Sequence, residues 1–325
     1  MAIDERAWWL LAALALDALA GDPEWLWRRI AHPVVLAGRV VSALDRRLNR
    51  DEDPPARRRR QGRLALALLL GLSLAAGGGL CFLARTLHGG ALLEIAAVAL
   101  LLAQRSLYEH VAAVGEALRA DRLGAARRAV SRIVGREPGH LDAPAVGRAA
   151  IESLAENFSD AVVAPALWYL VAGLPGILAY KALNTADSMI GQRSARHLDF
   201  GRAAARADDL ANLPASRLSA LLLIGAAAVV DGRASGGRAL GSVRRDAARH
   251  RSPNAGWPEA AMAGALDRAL AGPRRYAEGD VDDAWMHPGG SRNADGADVG
   301  RALRLYVAAC AGLAGVVALL ALGLA

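Results

Sequence analysis

Residues 151–191 constrain this chain more than any other stretch. A polar, acid-rich run, Glu152-Ser-Leu-Ala-Glu156-Asn157-Phe-Ser159-Asp160, leads straight into an apolar segment. That segment delivers a second polar run, Asn184-Thr185-Ala-Asp187-Ser188-Met-Ile-Gly191. Carboxylates, amides and hydroxyls bracketing an apolar stretch of near-spanning length are costly at a membrane boundary unless something there needs them. The pattern predicts an all-α, polytopic integral membrane protein with a functional site built against the bilayer.

The rest of the chain agrees. Of its 325 residues 54% are hydrophobic, and apolar segments lie at about 7–20, 64–84, 91–107, 161–183, 218–230 and 305–325. Roughly 20 helical residues at about 1.5 Å each cover a ~30 Å hydrocarbon core. Residues 64–84 and 305–325 are the clearest spans, whereas 218–230 is short and reads as half-inserted or buried in protein. The first segment resembles a signal peptide only superficially. Asp4-Glu5-Arg6 before it is net negative and Asp17 interrupts it, so a retained membrane segment is expected. The net charge is +7, and Lys181 is the only lysine. Arginine clustered beside apolar segments follows the positive-inside rule and does not require nucleic acid. It places 21–63, 108–160, 184–217 and 232–302 in the cytoplasm, all within a single membrane domain. Phosphate or carboxylate ligands are a second use for the same charge. Cys81 and Cys310 sit in apolar segments, with neither disulfide nor zinc spacing.

Segment 161–183 is the difficult one. Crossing once would put Lys181, Arg193, Arg196, Arg202, Arg206 and Arg217 outside, against the rule. Its centre, Ala172-Gly173-Leu174-Pro175-Gly176, is turn chemistry. Two half-helices meeting there would make a re-entrant hairpin, shielded by other helices; a straight helix kinked at Pro165 or Pro175 is the alternative. Residues 280–298 read as an acidic surface loop.

Glu152, Glu156 and Asp160 are spaced i, i+4, i+8 and would form one helical stripe. Three like charges in a row make sense around a cation or an amine; a solvated helix face is the plain alternative. Asn184, Asp187 and Ser188 share a second face, and Asp208-Asp209 with Asn212 gives a third acidic site. Helix N-capping would also account for Asp208 or Asp209. Such carboxylate and amide oxygens suit Mg²⁺, which takes one or two protein carboxylates and keeps waters. Ser252-Pro253-Asn254-Ala255-Gly256-Trp257-Pro258-Glu259 then opens a helix in which Ala260 and Gly264 allow a close neighbour. Gly21-Asp22-Pro23 and His32-Pro33 are weak alone. The sequence contains no Walker A loop, Rossmann fingerprint or nucleophile elbow.

Together these runs closely resemble the cobalamin-biosynthesis membrane family of adenosylcobinamide-phosphate synthase, over nearly the whole chain. The resemblance rests on the glutamate-rich run from Ala150 to Asp160 and on Asn184-Thr185-Ala-Asp187-Ser188. It also rests on Asp208-Asp209-Leu-Ala-Asn212, on Pro253-Asn254-Ala-Gly256-Trp257-Pro258-Glu259, and on Ser131-Arg132-Ile-Val-Gly135-Arg136. It implies a ligase joining (adenosyl)cobyric acid to aminopropanol or its phosphate through an amide. ATP and Mg²⁺ would be needed for activation, and other cobalamin-pathway enzymes would be neighbours. On that resemblance Glu152, Glu156 and Asp187 would hold Mg²⁺ and the activated acyl group. Asp160 or Glu259 would take the amine proton. Arg132, Arg136 and Arg193 would bind phosphate, and Asn184, Asn254 and Trp257 the corrin ring. Asn157, Ser188, Asp208, Asp209 and Asn212 would complete the substrate site. The site would lie on the cytoplasmic side of the cell (inner) membrane. Two other readings compete: a Mg²⁺-dependent membrane prenyltransferase with paired Asp-rich motifs, and a transporter or sensor with carboxylate sites.

Overall fold

The computed structural model of the protein describes residues 3–23, 27–29, 31–135, 138–192, 194–276, 279–281 and 283–324. The described residues include twelve α-helices. They are α1 (Ile3–Ala20), α2 (Pro33–Leu48), α3 (Pro55–Thr86), α4 (Gly90–Ala99), α5 (Gln104–Arg119), α6 (Leu123–Val130), α7 (Ala143–Phe158), α8 (Ala164–Ile190), α9 (Arg202–Val230), α10 (Arg233–Asp246), α11 (Gly256–Leu266) and α12 (Gly296–Leu324). A π-helical turn, Ser159–Val163, joins α7 to α8. Among the described residues five helical stretches are long and apolar enough to cross a membrane: Pro55–Thr86, Gly90–Arg119, Ala143–Ile190, Arg202–Val230 and Gly296–Gly323. The protein is an all-α polytopic membrane protein.

Several boundaries differ from expectation. α3 begins at Pro55, so Arg57–Arg60 are helical; its 32 residues rise about 48 Å, and the arginines project beyond a ~30 Å core. The stretch 218–230 is only the second part of the 29-residue α9, which is long enough to span. The expected third span is divided between α4 and α5. α12 starts at Gly296, ahead of the apolar residues. Residues 280–298 are not a plain surface loop. They carry β3 (Gly279–Val281), which pairs antiparallel with β2 (Arg274–Tyr276), and β4 (Trp285–Met286), which pairs antiparallel with β1 (Leu270–Ala271). Met286 is fully buried.

The chain divides into two compact units. The first comprises Met1–Ala103, Ala164–Asn212 and Val317–Ala325. Its core gathers Val41 from α2, Ala65 and Leu69 from α3, and Ala182, Ala186 and Ile190 from α8, with Phe200 and Ala204 beyond. α3 lies tight against α8 at Gly77, where a Cβ would come within 2.5 Å of the Pro175 Cα; no larger residue fits without moving backbone. Gly173 breaks α8, with φ 64° and ψ −152°, a combination essentially confined to glycine. The carbonyls released by the break, Leu170 O and Val171 O, accept hydrogen bonds from Arg6 Nη1 at 3.0 and 2.8 Å. A Cβ on Gly176 would collide with the Trp168 carbonyl, although residues eight apart in a straight helix are separated by about 12 Å. The chain therefore turns back on itself at Gly173, and no straight helix runs through α8.

The second unit comprises Gln104–Val163 and Leu213–Val316. Gly264 gives the close approach that its spacing predicts: a Cβ there would meet Arg238 O at 2.6 Å and Ala239 Cα at 2.8 Å, locking α11 onto α10. Tyr306 packs edge-on against Phe158, with centroids 5.6 Å apart, and its hydroxyl donates to Gln104 O at 2.9 Å. Arg268 pairs with Asp298 at 2.9 Å and holds the start of α12.

Candidate functional site

In the first unit α8 and α9 bring together two runs that are distant in sequence. Asn184 Nδ2 donates to Asp208 Oδ1 at 3.4 Å, and Asn212 Nδ2 donates to Asp208 Oδ2 at 2.9 Å. Tyr180 Oη donates to Asn212 Oδ1 at 2.8 Å. Asp208 and Asn212 are buried, and burial of this kind is tolerable only with such partners. α9 begins at Arg202, so Asp208 and Asp209 are interior helical residues and N-capping does not explain them. Asp209 and Asp187 are half-buried. The Asp187 carboxylate lies against Gly191, where a Cβ would clash with its Oδ1. Ser188 is exposed and donates to Asn184 O at 2.9 Å.

The two weak N-terminal motifs also meet. His32 Nδ1 accepts from Val34 N at 3.1 Å and caps α2, while Nε2 faces Asp22 Oδ1 at 4.0 Å. Burial lowers the His32 pKa, the nearby Lys181 charge lowers it further, and Asp22 opposes both. Following α8, Arg196 pairs with Asp45 at 3.1 Å and with Asp51 at 3.4 Å, and His197 lies 3.5 Å from Asp45. These contacts tie the segment after Ile190 to α2 and the turn beyond it.

The second unit holds the other polar runs. Arg217 lies over the Trp257 ring, 4.5 Å from its centroid. Its Nη1 donates to Asn254 Oδ1 at 2.8 Å, Ser216 Oγ at 2.9 Å and Leu213 O at 3.2 Å. Ser216 Oγ in turn donates to Asn254 Oδ1 at 3.1 Å. Asn254 and Trp257 thus orient a guanidinium that the motif itself does not contain. One turn on, Glu259 is 2% exposed, with Oε2 3.8 Å from His250 Nε2. His250 Nδ1 lies 3.1 Å from Ser252 N and 3.4 Å from Ser252 O, which leaves Nε2 toward the carboxylate.

The expected acidic stripe does not survive as three equivalent groups. Glu152 is buried and its Oε1 accepts from Ala271 N at 2.8 Å; Ala271 has φ 59°, so the carboxylate steadies a left-handed residue. Glu156 is exposed and Asp160 half-buried. The π-helical turn begins at Ser159 and includes Asp160, and such turns often mark functional sites. Asn157 Nδ2 donates to Ser153 O at 2.9 Å. Arg132 is exposed, and Arg136 and Arg193 lie outside the described residues. Among the described residues no group of three or more His, Cys, Asp and Glu side chains is placed to hold a metal ion.

A family model described as CobD/Cbib protein matches residues 10–306. The chain belongs to that family. It is 53% identical over 302 residues to a cobalamin biosynthesis protein CobD of Rhizobium meliloti (strain 1021), covering 93% of this chain and 92% of that one. It is 50% identical to the cobalamin biosynthesis protein CobD of Brucella suis biovar 1 (strain 1330), over 91% of both chains. Its identity to a protein of that name from Rhodobacter capsulatus is 44%, over 96% of both. No solved structure matches. Membership in the CobD/Cbib family supports a role in cobalamin biosynthesis.

Sequence reasoning noted Arg217 beyond the third acidic site without giving it a role, and passed over Tyr180 and His250. Tyr180 stands one helical turn before Asn184, and spacing could have raised it. Nothing in the sequence marks His250, because its relation to Glu259 depends on how the chain turns between α10 and α11.

Proposed function

We propose that this member of the CobD/Cbib family forms the amide bond joining (adenosyl)cobyric acid to aminopropanol or aminopropanol phosphate, giving (adenosyl)cobinamide or its phosphate. A carboxylate and an ammonium do not condense spontaneously in water. In this reading ATP converts the corrinoid carboxylate into an acyl phosphate or adenylate. The amine lone pair then attacks the acyl carbon, the C–N bond forms, the acyl C–O bond breaks, and phosphate or AMP departs. Mg²⁺ would arrive on the nucleotide phosphates and neutralise their charge; no step here uses a protein-held ion.

The observation that carries the reading is the buried Glu259, 3.8 Å from His250 Nε2, in the same run as the Asn254–Arg217–Trp257 brace. A desolvated carboxylate beside an imidazole is suited to take the proton released by the attacking amine. Arg217, oriented by Asn254 and Trp257, offers a fixed cation to a carboxylate or phosphoryl oxygen.

The decisive experiment supplies purified protein with adenosylcobyric acid, aminopropanol phosphate, ATP and Mg²⁺, and looks for the amidated corrinoid by mass. Native protein that yields no product while vesicles accumulate corrinoid would replace this reading with a transporter. We also place the site on the cytoplasmic face of the inner membrane, beside other cobalamin-pathway enzymes. In a chain cleared of Cys81 and Cys310, a cysteine at Ser194 should resist impermeant thiol reagents added to intact cells; labelling there would reverse the orientation.

A further inference from the structure

We propose that the rim of the first unit where α3 and α9 begin binds an anionic phospholipid with two phosphodiester groups, of the cardiolipin type. Two stripes of side chains carry the inference. Arg60, Leu64 and Leu68 stand at i, i+4, i+8 on α3, and Arg202, Arg206 and Leu210 repeat that spacing on α9, so each set follows one helical face. All of them are exposed, with Leu64, Leu68 and Leu210 at 47%, 51% and 68%. Both helices are long and apolar enough to cross a membrane, and both enter their apolar stretch from the arginine end. Cation first and apolar surface next is the order of headgroup and tail in a phospholipid.

The two helices start side by side. A Cβ on Gly62 would collide with the Phe200 carbonyl, Arg59 pairs with Asp199 at 2.7 Å, and Ala65 shares a core with Phe200 and Ala204. Arg63 lies one turn beyond Arg59 on the same face, so it stands on the side of α3 that meets the start of α9. The neighbouring aspartates are already engaged: Arg57 pairs with Asp53, Arg58 with Asp51 and Arg59 with Asp199. Arg60, Arg63, Arg202 and Arg206 are exposed and form no ion pair among the described residues.

Like charges at i, i+3 or i, i+4 repel. A phosphodiester between two guanidinium groups removes that repulsion and accepts charge-assisted hydrogen bonds, and basic sites between membrane helices are where such headgroups bind. One phosphate serves Arg60 with Arg63, and a second serves Arg202 with Arg206. When a short linker joins the two phosphates, the second contact becomes intramolecular and strengthens the first. A zwitterionic headgroup brings its own cation and gains little here. An acidic protein would have no use for the leucines that continue both stripes. None of these residues enters the amidation chemistry, so the inference stands or falls independently of that reading.

The test places the full chain in phosphatidylcholine nanodiscs with equal minor fractions of cardiolipin and phosphatidylglycerol, and native mass spectrometry counts the lipids retained. Cardiolipin should be retained at least about tenfold over phosphatidylglycerol, the gain from joining two contacts. R60Q/R63Q and R202Q/R206Q should each lower that retention at least about fivefold. R60K/R63K, which keeps the charge, should preserve most of it. R233Q/R244Q removes two exposed arginines of α10 that are followed at i+4 by Gly237 and Ala248 rather than leucine, and it should change nothing. Thermal unfolding in the same discs guards against misfolding. Should a glutamine pair fail to fold, R60Q and R206Q singly carry the test. Phosphatidylglycerol or phosphatidylcholine held as firmly as cardiolipin, retention indifferent to either arginine pair, or an equal loss in R233Q/R244Q would overturn the proposal.

Discussion

Replacing Asn254 with alanine should destabilise the second unit by an amount that can be worked from its contacts. Asn254 Oδ1 accepts from Arg217 Nη1 at 2.8 Å and from Ser216 Oγ at 3.1 Å. A hydrogen bond to a charged donor contributes about 1.5–3 kcal/mol and a neutral one about 0.5–1.5 kcal/mol. Ser216 is fully buried, and its hydroxyl has Leu213 O at 3.2 Å as a second acceptor, so the neutral bond contributes at the low end of its range. Arg217 keeps Leu213 O, Ser216 Oγ and the Trp257 face, which sets the expected total near 2–4 kcal/mol rather than at the upper limit of both ranges. N254D keeps an acceptor in the same place and adds a charge opposite the guanidinium, so it should lie within about 1 kcal/mol of the native protein. Equilibrium unfolding in mixed micelles, followed by intrinsic tryptophan fluorescence, would read the difference. A loss below about 1 kcal/mol for N254A, or equal losses for N254A and N254D, would show that Asn254 does not organise Arg217.

Three further outcomes follow from particular contacts. E259Q should lower turnover by about 10²–10⁴-fold, the usual contribution of a general base, while its unfolding transition stays in place; retained turnover would remove Glu259 from the chemistry. Burial alone would raise the Asp45 pKa, but hydrogen bonds from Asn49 and Arg196 and the charges of Arg196 and His197 outweigh it, leaving the pKa below its usual 3.8. Its stabilising contribution is therefore fully present above that value and lost as pH falls through the depressed one; D45N should flatten this acid limb in unfolding titrations, and an unchanged limb would exclude the clasp. G173A should cost about 1–3 kcal/mol, because alanine strongly disfavours φ 64°, ψ −152°. G71A, at an open helical position, should be neutral or stabilising by about 0.5–1 kcal/mol, and equal effects of the two in thermal unfolding would contradict the break at Gly173.

Much of the site was legible before any coordinates. Asn184 with Asp208 and Asn212, and Asn254 with Trp257, stand out because amides and carboxylates beside apolar runs need a reason to be there. Their partners were harder to see. Arg217 and Tyr180 belong to no dense motif, and His250 acquires meaning only opposite Glu259. The acidic stripe is less regular than its spacing suggests, because a π-helical turn at Ser159–Val163 changes the residues per turn after Glu156.

Hydropathy, arginine placement and the turn chemistry at Gly173 come from the order of residues alone, because lipid burial, the positive-inside bias and backbone sterics act locally along the chain. They determined a helical membrane protein with a broken segment between two polar runs. Only the tertiary structure decided which polar groups share a space. Arg39 and Arg46 on α2 face Lys181 on α8 across a cavity, although more than a hundred residues of chain separate them. That meeting depends on how α2 and α3 pack on the returning half of α8, and helix packing is set by side-chain shapes from separate segments together, which no single stretch of sequence contains.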